Sequence, residues 1–244
     1  MHHLYFSGTP VEHMALGAFF SAAEVIPLTF LTVEAWSFLR LGQEQQAKSS
    51  TPFPHRYAIL FLVSVGFWNF LGAGVFGFLI NLPIVSYYEI GTALTSNHGH
   101  AAMMGVYGML AVGLALFGLR YLIPEERWSE GAAKLSFWSL NLGLAWMVFA
   151  TLFPLGVLQL HESVSHGYYE ARQLDFLTSE RAELLEWMRM PGDVVFIVGG
   201  VLPLLLLCWR GVRHRVPHVE HAGPETAPLF TQVEGAVAPA ERAP

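Results

Sequence analysis

The stretch Asn97-His98-Gly99-His100, followed by Ala101-Ala102-Met103-Met104-Gly105, interrupts the third of the chain's long apolar segments. On a helix that turns about 100° per residue, two side chains separated by one residue point roughly 200° apart. His98 and His100 therefore project from nearly opposite faces of one helix. A helix of this kind can serve two metal centres at once.

The chemistry of histidine and the small size of the neighbouring residues indicate what kind of metal centre each would be. A neutral histidine is a good axial ligand for haem iron. Gly99 between the two histidines, with Ala101 and Ala102 after them, keeps bulk away where a flat macrocycle must approach. We therefore expect His98 and His100 each to bind one haem, with the two haems side by side.

The composition places this helix in a membrane. Hydrophobic residues make up 53% of the 244 residues, charged ones only 13%, and the mean hydropathy is +0.43. Three intervals without Asp, Glu, Lys or Arg each exceed the roughly 20 residues that cross a bilayer: Arg56 to Glu89, Glu89 to Arg120, and Lys134 to Glu162. Further spans are expected at about residues 11–39 and 186–209. The sequence thus predicts an all-α, polytopic transmembrane helix bundle of about five spans over residues 1–213.

The basic residues orient this bundle. They concentrate in the first and third connections and just past the last span: Arg40, Lys48, Arg56, Arg120, Arg127, Lys134, Arg210, Arg213 and Arg215. By the positive-inside rule these sides are cytoplasmic, so residues 1–10 are expected on the periplasmic or outer side. Residues 214–244 are rich in Pro, Ala and Glu and predict a disordered cytoplasmic tail. Nothing in the charge pattern resembles a nucleic-acid-binding patch.

Two further groups are candidates for chemistry. The adjacent histidines His2 and His3 can reach one metal if the backbone bends there, although such a pair can also be incidental. Topology places them on the same membrane side as the start of the His98 helix. Glu24 follows Pro10 by 14 residues and so lies roughly 20 Å along the first span. Intramembrane carboxylates are costly and often mark ion or proton routes.

Other residues have a simpler interpretation. Gly72, Gly74 and Gly77 in the second span predict close helix packing. We expect the remaining histidines to be solvated surface side chains: His13, His55, His161, His166, His214, His218 and His221.

Four segments, taken together and in order, resemble a known family. They are His2-His3-Leu4-Tyr5-Phe6-Ser7-Gly8-Thr9-Pro10, Ser21-Ala22-Ala23-Glu24-Val25-Ile26-Pro27, Phe67-Trp68-Asn69-Phe70-Leu71-Gly72-Ala73-Gly74-Val75-Phe76-Gly77-Phe78 and Asn97-His98-Gly99-His100-Ala101. They resemble the C-terminal portion of the catalytic subunit of bacterial nitric oxide reductases, most closely the quinol-dependent type, in the haem-copper oxidase superfamily. The resemblance covers residues 1–213.

The resemblance implies a role for each candidate. His98 would be the axial ligand of a high-spin haem b and His100 an axial ligand of a low-spin haem b. His2 and His3 would be ligands of a non-haem iron, and Glu24 the acidic residue near it. The implied activity is reduction of nitric oxide to nitrous oxide in the bacterial inner membrane. Electrons would come from quinol, or else from a cytochrome.

The chain also departs from the family. It begins at the histidine pair, so further N-terminal helices with additional ligands are expected on a longer chain or on a partner chain, and we favour the longer chain. Ile90 stands where relatives often have histidine. The resemblance also implies that most contacts to quinol belong to the part of the family's sequence that comes before the position of His2.

Three alternatives to the reductase stay open. A haem-copper oxygen reductase would use copper and a tyrosine near the metal, and Glu24 favours iron, which accepts oxygen ligands readily. A nitric oxide dismutase would have altered metal-ligand positions, whereas His2 and His3 are intact. A b-type cytochrome subunit would only transfer electrons and would leave His2 and His3 without a role.

Overall fold

The computed structural model describes residues 7–48 and 55–214, and this part of the chain is helical with no β-strand. Five helical stretches are long and apolar enough to cross a membrane: span 1, Val11–Glu44; span 2, Arg56–Asn81; span 3, Ala93–Leu122; span 4, Glu130–Ser165; and span 5, Glu180–Arg213. The predicted all-α bundle with five crossings is confirmed, and the chain is a multi-pass membrane protein.

Span 1 consists of two helices that meet at Glu24. They are Val11–Ala23 and Val25–Ala47. Pro27 has no amide hydrogen, so it cannot donate to the carbonyl of Ala23 four residues earlier, and the regular helix is interrupted there. The break therefore coincides with the carboxylate that the sequence singled out.

Spans 2 to 5 each contain a π-helical segment. Span 2 comprises Arg56–Trp68, the π segment Asn69–Phe76 and Gly77–Asn81; span 3 comprises Ala93–Gly99, the π segment His100–Gly108 and Met109–Leu122. Span 4 comprises Glu130–Trp146, the π segment Met147–Leu152 and Phe153–Ser165, and span 5 contains the π segment Val195–Val201 between Arg189–Val194 and Leu202–Arg213. Such π-helical turns are rare and concentrate at functional sites. The π segment of span 3 begins at His100, two residues after His98, which supports a functional role for this part of the helix.

Short helices occupy the connections. Pro83–Glu89 joins spans 2 and 3, Glu125–Arg127 joins spans 3 and 4, and Glu170–Arg172 and Leu174–Leu177 lie between spans 4 and 5, where Glu180–Trp187 then opens span 5. Pro83 suits the start of a helix because its missing amide hydrogen would be unpaired there in any case.

The core lies among spans 2 to 5. Its most deeply buried side chains include Phe61, Trp68, Met109, Leu116, Leu140, Leu144, Val148 and Leu207. Half (50%) of the most apolar stretch of span 4 is buried, against 11% for span 1. Span 4 is therefore the central helix of the described bundle, and span 1 packs along its edge.

Small residues bring spans 2 and 3 into backbone contact. A methyl group added at Gly72 would lie 2.5 Å from the carbonyl carbon of Ala101, and one at Gly105 would lie 2.5 Å from the Cβ of Trp68. Trp68 also donates from its indole Nε1 to the amide oxygen of Asn141 in span 4, at 2.9 Å. The close packing predicted for the glycines of span 2 is present at Gly72.

One expectation for a histidine is wrong. His55, at the start of span 2, is not a solvated surface side chain but is buried, with its ring centroid 4.5 Å from that of Phe117 and 5.2 Å from that of Tyr121. Burial, and secondarily the positive charge of Arg120, lowers the pKa of the His55 imidazole. The sequence could not predict this because the aromatic partners come from span 3.

Candidate haem-binding site

The helix that carries His98 begins at a polar cap. Thr92 precedes its first turn, and the hydroxyl oxygen of Thr92 accepts a hydrogen bond from the amide of Leu94 at 3.2 Å. A second anchor comes from span 4, where the side-chain oxygen of Gln159 accepts from the amide of Ala93 at 2.6 Å. The start of span 3 is thus fixed in both register and position.

His98 is buried between spans 3 and 2. Its side chain lies against two glycines of span 2, and its ring Nδ1 is 2.8 Å from the carbonyl oxygen of Gly72. A methyl group added at Gly77 would lie 3.2 Å from the Cε1 of the same ring. The absence of a side chain at Gly77 therefore leaves space that the imidazole occupies.

The hydrogen bond to Gly72 determines what the ring can do. A carbonyl oxygen can only accept, so Nδ1 of His98 must carry the proton and donate. In the neutral imidazole the lone pair is then on Nε2, which is the form that binds a metal. Histidines that ligate metals almost always donate from their other nitrogen in this way, because the bond orients the ring and raises its basicity.

His100 has the same arrangement in different surroundings. It is the first residue of the π segment His100–Gly108, it is partly exposed, and its Nδ1 donates to the carbonyl oxygen of Ser96 at 2.8 Å. The ring is therefore oriented by its own helix, whereas that of His98 is oriented by span 2. In both imidazoles the lone pair lies on Nε2, so both fit an axial haem ligand.

Gly99 and Ala101, two small residues next to the histidines, have different surroundings. A methyl group added at Gly99 would meet nothing within 4 Å. Ala101, expected to leave room for a macrocycle, is instead fully buried against Gly72. Of these two positions, only Gly99 adjoins open space.

Glu24 lies at the same level of the bundle as His98. Its neighbour Val25 contacts span 2 at Gly74, whose added methyl group would lie 3.6 Å from a Val25 methyl. Gly74 stands between the two glycines that contact His98. The Glu24 side chain itself is exposed and lines an open groove of about 450 Å³ with Gly17, Phe20, Ser21, Ala23 and Pro27.

The expected non-haem iron site cannot be located in this part of the chain. His2 and His3 lie outside the described residues, as does the predicted tail beyond His214. Within residues 7–48 and 55–214, no three His, Cys, Asp or Glu side chains come close enough to hold a metal ion. The iron ligands therefore remain a prediction from the sequence.

The sequence interpretation missed a buried carboxylate. Glu89, in the connection before span 3, is only 2% exposed, and its Oε2 accepts a hydrogen bond from the hydroxyl of Thr95 at 2.9 Å. Burial raises the pKa of the Glu89 carboxyl to about 7, and the Thr95 hydrogen bond and the charge of Arg172 oppose this rise. One signal was visible: Glu89 is the sole charged residue between Arg56 and Arg120.

Arg172 ties this connection to the one after span 4. Its guanidinium donates to the hydroxyl of Ser163 at 3.0 Å, to the carbonyl of Tyr88 at 3.2 Å, and to the carbonyls of Ile90 and Tyr168. It also lies 3.7 Å from the centre of the Tyr168 ring. Ile90 thus takes part in this contact through its backbone carbonyl.

Fold and geometry together define a class: multi-pass helical membrane proteins in which one span presents two oriented imidazoles. The sequence model of the family described as Cytochrome C and Quinol oxidase polypeptide I matches residues 1–195. The chain therefore belongs to this family, which comprises the first subunits of the haem-copper oxidases.

The chain is also similar to a protein of assigned function. A nitric oxide reductase subunit from Stutzerimonas stutzeri is 28% identical over 226 residues, which cover 89% of this chain. The matched region is 44% of the relative, so the chain spans somewhat less than half of that protein's length.

Proposed function

We propose that this chain forms the haem-ligating part of a membrane-bound nitric oxide reductase. The observation that carries the proposal is the Nδ1 hydrogen bond of His98 to Gly72, with a second oriented imidazole two residues later at His100. The motifs shared with nitric oxide reductases and the similarity to the Stutzerimonas stutzeri protein support it.

Each imidazole has an assigned role in this proposal. His98 would ligate the high-spin haem b at which nitric oxide reacts, and His100 the low-spin haem b that receives electrons. His2 and His3 would hold the non-haem iron. When bound, these groups supply the electrons and the positive charge that favour coupling of two nitric oxide molecules.

The protein must also supply protons. Reduction of two nitric oxide molecules to nitrous oxide and water consumes two electrons and two protons. Glu24 lies at the break in span 1, level with the glycines that contact His98. A carboxyl group in that position can hold a proton and pass it on, which is general acid catalysis.

Glu24→Gln is expected to keep both haems yet lower nitric oxide turnover by at least about a hundredfold, because the amide cannot exchange a proton at neutral pH. The measurement is nitric oxide consumption by the assembled holoenzyme, with haem content read from its absorption spectrum. Glu34→Gln, at an exposed position later in span 1, is the control and should retain activity. Unimpaired turnover in Glu24→Gln would remove this residue from the mechanism.

The purified holoenzyme is expected to convert two nitric oxide molecules to one nitrous oxide under anaerobic conditions, and to contain haem and non-haem iron. Gas analysis with metal analysis separates the candidates. Copper with oxygen consumption would indicate an oxygen reductase, and nitric oxide turnover without an electron donor would indicate a dismutase. Haem without any turnover of nitric oxide would indicate an electron-transfer subunit.

The membrane placement is also proposed. The chain would lie in the bacterial inner membrane with the His2/His3 end periplasmic and residues 214–244 cytoplasmic, as the basic residues indicate. The electron donor would be quinol or a cytochrome. Further N-terminal helices, on the same or a partner chain, would complete the ligand set.

A further inference from the structure

Glu89 is hydrogen-bonded to the helix that carries His98, at a residue one helical turn before that histidine. Its carboxylate is bonded to the hydroxyl of Thr95, and Thr95 precedes His98 by three residues on the same helix. Side chains three apart on a helix are neighbours, with their Cβ atoms about 5–6 Å from each other. The side chain of Thr95 therefore stands between the Glu89 carboxylate and the position of His98 on this helix.

Few other charges act on this carboxyl. Arg172 is the cation that faces it, and Thr95 is its hydrogen-bonding partner. The helix Pro83–Glu89 packs against the ends of spans 2 and 4. The end of span 2, Gly77–Asn81, has no titratable residue, and the end of span 4 contributes the uncharged Gln159 and Ser163, the exposed His161, and Glu162, which pairs with His166 at 2.9 Å.

Arg172 does not depend on Glu89 for its position. Its hydrogen bonds go to three backbone carbonyls and to the Ser163 hydroxyl, and its guanidinium stacks on Tyr168. Because these partners are uncharged, they hold the guanidinium in place whether Glu89 is ionised or neutral. The carboxyl can thus gain or lose a proton without dismantling the contact between the two connections.

We propose that Glu89 is a proton-exchange site coupled to the redox state of the haem ligated by His98, taking up a proton when an electron arrives and releasing it when the electron leaves. The inference rests on the proposed function. It adds a protonatable residue outside the membrane spans to a chain in which sequence alone indicated only Glu24.

The coupling is electrostatic. An electron delivered by the quinol or cytochrome donor adds one negative charge near His98, and in a partly buried region this charge disfavours a second negative charge on Glu89. The carboxylate then takes up one proton supplied by the bulk solvent and its buffer, forming an O–H bond, so the net charge near the site is unchanged. With a carboxyl pKa already raised to about 7, this exchange occurs at neutral pH.

The test is a spectroelectrochemical titration of the holoenzyme at several values between roughly pH 5.5 and 8.5, which bracket the Glu89 pKa. In the wild type, the midpoint potential of the high-spin haem should fall as pH rises through neutrality. Glu89→Gln should lose most of that dependence while keeping the haem spectrum. Glu170→Gln, which alters an exposed acid in the connection after span 4, should retain it.

The outcomes separate this inference from the proposed function. Histidine-ligated haem bands with an unchanged pH dependence in Glu89→Gln would overturn the role of Glu89 alone. A wild-type holoenzyme without such bands would overturn the proposed function. If Glu89→Gln fails to assemble, Glu89→Asp and the redox-difference infrared spectrum of the wild type decide: a carboxyl band that appears on reduction and shifts in Glu89→Asp supports the inference, and its absence contradicts it.

Discussion

Replacing His98 with alanine is expected to eliminate the high-spin haem signal and to reduce nitric oxide turnover by at least about a hundredfold, since loss of outer-shell contacts alone costs about 10–100-fold. The imidazole is buried and oriented by the Gly72 carbonyl, and alanine offers no ligand atom. Absorption spectra of the reduced holoenzyme, with and without carbon monoxide, should show the low-spin haem at His100 retained.

The reciprocal variant tests the geometry. His100→Ala should lose the low-spin signal and keep the high-spin one, because the two rings are oriented by different carbonyls. His161→Ala, an exposed histidine near the end of span 4, is the matched control and should leave both spectra unchanged. If either His98→Ala or His100→Ala left both chromophores intact, these residues would not be the ligands.

Gly72→Ala is expected to destabilise the bundle by about 1–3 kcal/mol, the usual cost of overpacking a filled interior. The added methyl group would lie 2.5 Å from the carbonyl carbon of Ala101 and 2.6 Å from the amide nitrogen of Ala102. Both atoms are backbone, so no side chain can rotate away and spans 2 and 3 must separate. Separation also draws the Gly72 carbonyl from His98, so the high-spin haem spectrum should shift.

Gly118→Ala provides the matched control within span 3. A methyl group at Gly118 would meet nothing within 4 Å, and alanine favours a helix over glycine by about 1 kcal/mol, so the holoenzyme should be unchanged or slightly more stable. Thermal unfolding in detergent and the haem spectrum are the two measurements. Wild-type values of both in Gly72→Ala would contradict the close contact.

The membrane architecture was predictable from the sequence for a simple physical reason. Charged side chains are costly in lipid, so the long intervals without Asp, Glu, Lys or Arg mark the spans directly. His98 and His100 fall within one of these intervals, so both were expected on one helix without knowledge of its neighbours. Span 1 has no such interval, because Glu24 and Glu34 lie within it, and it was expected from its apolar composition instead. Its break at Glu24, three residues before Pro27, appears only in the structure.

What the sequence did not reveal depends on contacts between distant segments. The acceptor for His98 is a backbone oxygen 26 residues earlier, and no side-chain pattern marks it. Arg172 contacts Tyr88 and Ile90 more than 80 residues away, so its association with Glu89 was equally invisible. The π-helical segments change the 3.6-residue period on which helix faces are predicted.

The hydrogen bonds of Arg172 determine which substitutions the two connections that it joins can tolerate. Three of its acceptors are main-chain oxygens, which every amino acid supplies, so the identity of the side chains at Tyr88, Ile90 and Tyr168 is not what those bonds depend on. The side chain at position 90 can therefore change while the connection that leads into span 3 keeps its hydrogen bond to Arg172. Substitution of Arg172 itself has no such latitude, because only a forked cation reaches all of these oxygens together.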